Sequence, residues 1–446
     1  MNILQEFDTI TAIATPIGTG GVGVIRISGD KSFDIIENIF TKKNLAPGRI
    51  AHGWIVDGSK KIDEVIVLPF KAPNSYTGED VIEIHCHGGI NVVRNILDLV
   101  LKNGARAAER GEFTKRAFLN KKMDLSQAEA VADLIHAKTR NFAKQSAKNL
   151  SGVLGEKIKE IRTDIFNVLS KIIAGIDFPE DVVEPEYPYI ISEFEKSINK
   201  IEKILAGAKS SDILRQGVKI AIVGRPNVGK SSLFNTLLNV ERAIVTDIAG
   251  TTRDVLKENL DWDIAITLID TAGIRESKEV GKVEEIGIEY SKQSAEEADL
   301  VLFMYDIAAG MTDEDKTIHD LIKDKKHLVI ANKIDLLPQG VPSDSGILIS
   351  TKTGAGIEEL KNKIKEIVYN FSPDEMEFVT NKRQQDCLEK CRENLILALN
   401  AAKNGELQDL ISIDLKSALL YLDEITGEVI TDEILNNIFD HFCIGK

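Results

Sequence analysis

Apolar residues along the first 118 positions come in short runs bounded by turn-forming residues, at 9–14, 23–27, 65–68 and 81–85. Such runs predict strands, and the longer period over 91–103 predicts a helix. Loops are expected at 18–23, which is rich in glycine, and at 72–78, APNSYTG. From about Leu125 the period lengthens: SQAEAVADLIHAKTRNFAKQSAKNL sets Ala130, Leu134, Ile135 and Ala137 at helical spacing, and KIKEIRTDIFNVLSKIIAGIDF repeats the pattern. Pro179, Pro185 and Pro188 break it, and a further helix is expected over 190–209. Strand runs alternate with helical ones across 214–372, which predicts a mainly parallel sheet. Helical periodicity returns over 381–403, 407–421 and 432–439. The expected fold class is therefore multidomain α/β and all-α: a domain over 1–120, a helical domain over 121–213 and 373–446, and an α/β domain over 214–372 inserted between the helical halves.

One stretch of the inserted domain carries recognisable chemistry. Residues 219–235, KIAIVGRPNVGKSSLFN, read strand, loop, helix around the spacing G-x-x-x-x-G-K-[ST]. Across Asn227, Val228, Gly229, Lys230, Ser231 and Ser232 the backbone N–H groups are expected to cradle phosphates at a helix N-terminus. Lys230 would reach the β and γ phosphates, and Ser231 would ligate magnesium. Three further stretches follow in workable order. Asp270-Thr271-Ala272-Gly273 ends an apolar run as a magnesium-shell Asp and a γ-phosphate sensor should. Asn332-Lys333-Ile334-Asp335 suits a base-reading loop, with Asp335 accepting from the N1–H and exocyclic amine of guanine and the Lys333 stem along the ring. Adenine would leave that carboxylate buried and unpaired, so GTP is the expected nucleotide. Ser350-Thr351-Lys352 would close over the base. Ile274 stands where many small GTPases have a water-orienting Gln, so water must be positioned otherwise. In TDIAGTTRD, 246–254, Thr252 is a candidate magnesium ligand, and the loop has oxygens enough for a monovalent cation, to which Asn227 could contribute; a plain polar switch loop is the other reading.

Composition narrows the classes. With 446 residues, 43% of them hydrophobic, the chain can bury a core in each of several domains. No apolar run is long enough to span a membrane and the N-terminus lacks the features of a secretory signal, so a cytoplasmic protein with no membrane partner is expected. A net charge of −15 argues against broad electrostatic binding of nucleic acid. Any RNA contact would need a local patch, for which Lys115, Arg116, Lys121, Lys122, Lys138 and Arg140 are candidates, or an ordinary solvated face. Arg26 and Glu83 are charges inside apolar runs, costly unless paired, facing a ligand, or on a solvent-facing side. His85-Cys86-His87 alternates across a strand, so its ligands do not converge as zinc requires, and His87 with the following glycines is expected to shape a turn. Cys387 and Cys391, one helical turn apart, read as buried thiols. The tail, DHFCIGK, joins an apolar segment and a thiol to a terminal Lys446, an odd finish unless it frays.

These blocks together resemble the MnmE (TrmE) family of tRNA modification GTPases. ATPIGTGGVGVIRISG, APNSYTGEDVIEIHCHGG, GEFTKRAFLNKKMDLSQAEAVADLI, TDIAGTTRD, DTAGIR and the terminal FCIGK carry the resemblance over the whole chain. It implies an N-terminal folate-binding domain that makes a homodimer and holds a 5-formyltetrahydrofolate-type carrier through Arg26, Glu83, Lys122 and Lys446. It implies potassium held by Asn227, Thr246, Ile248 and Thr251, magnesium held by Ser231 and Thr252, and nucleotide contacts that include Asp247, Ala249 and Gly250. Glu284 is the implied water-orienting residue, and Cys443 matches a tail cysteine that matters for modification. The implied partners are tRNA and the FAD-dependent MnmG, the implied product a carboxymethylaminomethyl-type group at carbon 5 of a wobble uridine. A ribosome-assembly GTPase would instead carry a basic RNA-binding domain, and a non-catalytic scaffold would not need Lys230, Ser231, Thr252 and Asp270 intact.

Overall fold

The computed structural model describes residues 8–240, 257–262, 264–270, 294–337, 346–368 and 376–446. They fall into two compact units. One takes in the chain to Ala132, Asn149–Asn199 and Cys387–Lys446; the other takes in Asp133–Lys148 and Lys200–Asp386. Among the described residues no helix is long and apolar enough to cross a membrane.

The first unit is built on a sheet of β1 (Ile10–Ile13), β2 (Gly20–Ser28), β3 (Ala51–Asp57), β4 (Lys60–Phe70), β5 (Val81–Gly88) and β6 (Arg106–Ala107), in the order β3-β4-β5-β2-β1-β6. All neighbours are antiparallel except β1 and β6. Strand alternation puts Ile25, Ile27, Ile55, Val65, Val67, Ile82 and Ile84 into one core with the helices Ser32–Ile39 and Ile90–Lys102. The same alternation sends Arg26 and Glu83, directly paired in register, to the opposite face. Strand β2 begins inside the stretch expected to be a loop at 18–23. It does so through a register irregularity between Gly20 and Gly23, where a Cβ on Gly88 would run into the Gly20 carbonyl. Two further elements carry no strong periodic signal: β3 is interrupted by Gly53, and the helix Glu112–Leu119 is short and rich in charge.

The helical run expected through 126–150 is two helices, Leu125–His136 and Arg140–Leu150. Thr139 divides them, its hydroxyl accepting from the Phe142 N–H (3.2 Å) as an N-cap does. Ala130 is buried, but Leu134 and Ile135 are 36% and 42% exposed, against the inward face expected of them. The helix Val153–Asp177 stops two residues before Pro179 and packs on Gln408–Thr426, with Arg162 paired to Asp423. Pro188 breaks nothing: it lies in the first turn of Tyr187–Ala206, where no helical N–H is missed.

The second unit holds β7 (Val218–Val223), β8 (Lys257–Asp261), β9 (Ala265–Asp270), β10 (Leu300–Asp306), β11 (His327–Asn332) and β12 (Ile347–Leu348), ordered β12-β11-β10-β7-β9-β8. Every pairing is parallel except β8 with β9 at the edge. Its central strand, β10, is buried from Leu300 to Tyr305 because apolar clusters cover both faces of the sheet. The carboxyl ends of β7, β10 and β11 therefore deliver their loops to one rim, where ligands of open parallel sheets bind.

Candidate functional site

At the rim of the second unit, β7 ends at Val223 and the helix Lys230–Val240 begins seven residues later. The loop between them is shaped by backbone. Gly224 (φ +152°) leaves room for the Met304 carbonyl, and Gly229 (φ +107°) leaves room for the Asn332 amide, each filled if a Cβ were added. Asn227 takes a left-handed conformation (φ +65°), which its short polar side chain tolerates, and Val228 anchors the loop in the core. Lys230 Nζ donates to the carbonyls of Gly224 (2.7 Å) and Arg225 (2.8 Å). Ser231 and Ser232 are exposed in the first turn of the helix.

Asn332, fully buried, ties three loops together. Its Nδ2 donates to the Val228 carbonyl (2.8 Å) and the Thr351 hydroxyl (3.3 Å), and its Oδ1 accepts from the Thr351 N–H (3.1 Å). Lys333 is also left-handed (φ +70°), and its Nζ donates to Asp306 (2.7 Å). Burial pushes the Asp306 carboxyl up, but hydrogen bonds from Lys333 and the Ala308 N–H outweigh it and hold the group below the usual carboxylate range. Asp335 accepts from the Ser350 hydroxyl (2.6 Å) and is otherwise exposed. Lys352 is exposed beside Thr351. Asp270 closes β9 opposite Ile222. Thr246, Asp247, Ile248, Ala249, Gly250, Thr251, Thr252, Thr271, Ala272, Gly273 and Glu284 lie outside the described residues.

A second cluster lies in the first unit. Arg26 is paired with Glu83 (2.8 Å), and both are largely shielded, which resolves the question of their company. The Arg26 guanidinium stands over the rings of Tyr76 (5.3 Å) and Phe113 (5.6 Å) and donates to the carbonyl of Gly445 (3.3 Å), next to the chain end. That tail does not fray. Phe442 is buried against Phe439, the Gly111 N–H donates to the Cys443 carbonyl (3.3 Å), and Ile444 bridges Arg110. Gly445 (φ +95°) passes so close to Ile13 that a Cβ would meet its carbonyl. Lys446 is half-buried; burial and Arg26 lower its pKa, opposed by Glu83 and Cys443. Cys443 is exposed. Lys122 donates to the Pro73 carbonyl (3.0 Å), in the loop that carries Tyr76, rather than to the Arg26 pair.

Other candidates resolve differently. Arg116, offered for an RNA patch, is 1% exposed and bonded to Asp8, Glu79 and Glu112, so it is a core group; the i,i+4 spacing of Glu112 and Arg116 was the available signal. Lys115 donates to Asn436. His87 shapes no turn: it lies within β5, hydrogen-bonded to Asp63 (2.7 Å), while Cys86 on the other face is buried, its thiol pushed up to about 11 chiefly by desolvation. Burial likewise pushes the Cys391 thiol up to about 12, with Cys387 adding to it. Tyr76 and Phe113 went unread as site residues because an aromatic near an arginine has no linear signature.

Two family models match the chain: the MnmE helical domain over residues 125–443 and the GTP-binding protein TrmE N-terminus over 9–122. The tRNA modification GTPase MnmE of Thermoanaerobacter pseudethanolicus is 46% identical, covering 99% of this chain and all of that protein. That of Thermotoga petrophila is 42% identical, covering 98% and 100%. Among solved structures, Era of Aquifex aeolicus bound to GDP and AlF4− is 31% identical over 40% of this chain and 67% of its own, with a TM-score of 0.28.

Proposed function

The chain belongs to the MnmE family of tRNA modification GTPases, and from that premise we propose that it hydrolyses GTP on the rim of the second unit and couples hydrolysis to modification of tRNA. The observation that carries the GTPase reading is Asn332, which joins the phosphate loop at Val228 to the base-side loop at Thr351. Two glycines with no room for a side chain and a lysine folded into the loop fit a phosphate chain, and the exposed Asp335 carboxylate fits the paired donors of guanine. Ser231 and Thr252 would hold magnesium; Asn227, Thr246, Ile248 and Thr251 would hold potassium; Thr271, Ala272 and Gly273 would follow the γ-phosphate. When bound, these ions supply positive charge where phosphate charge develops. Lys230 adds its ammonium, and Glu284 orients water in place of Ile274.

In the first unit, Arg26, Glu83 and Lys446 would hold a 5-formyltetrahydrofolate-type carrier, the guanidinium and ammonium facing its carboxylates or carbonyls and Glu83 its amino groups. Lys122 would contribute if the 72–78 loop shifts. Cys443, exposed beside this cluster, would serve the modification step. The remaining parts of the reading are a homodimer, a cytoplasmic setting, MnmG as partner, a wobble uridine as target, and domain limits at 120, 213 and 372.

The test is cation dependence. GTP turnover is expected to be much faster in potassium than in sodium, and Asn227→Ala to remove most of the difference; equal rates in both salts would refute the cation assignment. Nucleoside analysis of tRNA from cells lacking the gene is expected to show unmodified C5 at wobble uridines.

A further inference from the structure

The residue after the first loop glycine, Arg225, takes no part in the chemistry described above, yet it is anchored at both ends. Its carbonyl accepts from Lys230 Nζ (2.8 Å). Its side chain leaves the loop: Nε donates to Asp315 Oδ1 (2.8 Å), and Nη1 lies 3.6 Å from Glu314. Asp315 is fully buried, and its second oxygen accepts from the N–H (3.0 Å) and hydroxyl (2.8 Å) of Thr312, the capping box of the helix Asp313–Ile322. That helix follows β10, whose Met304 carbonyl fills the space beside Gly224. A buried carboxylate needs a charged partner, and Arg225 is the cation that meets it.

We propose that Arg225 is a positioning residue for the nucleotide: by clamping the entry of the phosphate loop to the capped start of Asp313–Ile322, it fixes the carbonyls that hold Lys230 before any phosphate arrives. The inference rests on the GTPase reading and deepens it. A loop held in its binding shape loses less freedom when the ligand binds, so releasing the clamp weakens nucleotide binding in ground state and transition state alike. A charge-assisted hydrogen bond of this kind sets the scale at about tenfold.

The experiment measures affinity for a fluorescent GDP, and kcat and KM for GTP, on the full chain. Arg225→Ala is expected to raise the GDP Kd and the GTP KM about tenfold while kcat changes less than about twofold. Arg225→Lys, which restores a cation without the fork, is expected to recover affinity to within about threefold of the parent. Thr312→Ala breaks the cap on the far side of the same carboxylate: it is expected to lower the unfolding temperature and leave Kd and KM unchanged. The inference is overturned if Arg225→Ala leaves KM where it was, if it lowers kcat instead, or if Thr312→Ala raises KM as much. A parent chain that binds no GDP would sink the GTPase reading itself, which is a separate failure.

Discussion

In the proposed function the phosphate loop and the Arg26 cluster would each hold an anionic ligand, and they are built by opposite means. The loop is made of consecutive residues and works through its main chain: glycine conformations, carbonyls around Lys230, and the N-terminus of Lys230–Val240. The Arg26 cluster gathers residues 26, 76, 83, 113 and 445 from four separate parts of the chain and works through side chains: an ion pair, two rings and a carbonyl at the terminus. A main-chain site tolerates few substitutions because its shape is backbone geometry. A side-chain site can lose one group and keep its framework.

The largest effect should therefore come from Gly229→Val. A left-handed conformation is strained for a β-branched residue, and its Cβ would displace the Asn332 amide that ties the nucleotide loops together. Strain of a few kcal/mol and the broken tie together are expected to weaken GDP binding by about a hundredfold or more, measured by titration. Folate binding in the first unit should stay within about twofold. If GDP binding survives, the loop is not main-chain-built in the sense argued here.

Next in size is Arg26→Ala. It removes the guanidinium partner of a shielded ion pair and leaves Glu83 with only His85, at 3.5 Å, and the nearby Lys446 ammonium for company. Binding of 5-formyltetrahydrofolate is expected to fall by about ten- to a hundredfold, with GTP hydrolysis nearly intact. Loss of both activities together would show that the two sites are not separable, and the contrast drawn above would fail.

The same contrast explains what could be read from the linear chain. The loop's glycines, Lys230, Asn332 and Asp335 were legible because contiguous backbone geometry demands fixed residue types at fixed spacing. The sheet of the second unit was legible for a related reason: parallel strands buried on both faces are nearly continuous apolar runs, as Leu300–Asp306 is. In the first unit, β3 with its Gly53 and β2 rising from a glycine-rich stretch lacked that signal. Arg26 and Glu83 stood out as charges among apolar neighbours, but their pairing is a product of strand register, and Tyr76 and Phe113 of chain packing, neither of which a local pattern encodes. Arg116 shows the reverse hazard: a basic residue in a lysine-rich stretch read as surface and proved to be core.

The smallest expected effect separates the sites by pH. Lys446 titrates below the ordinary lysine value of 10.5, first because the docked tail desolvates its ammonium and then because Arg26 lies near. The docked state therefore binds this proton less tightly than the released or unfolded one, and docking carries a penalty wherever both states are protonated. As pH rises from the lowered value toward 10.5, the docked lysine loses its proton first and stability increases. In the chain without folate, Lys446→Met is expected to raise the unfolding temperature by about a degree at neutral pH, and the gap to the parent should close as pH rises through that window. Taking the difference between parent and variant at each pH cancels the other titrating groups. Should the gap widen instead, Glu83 governs the ammonium rather than burial, and the site is an ion-paired triad. A bound folate carboxylate would reverse the sign, because it favours the charged lysine.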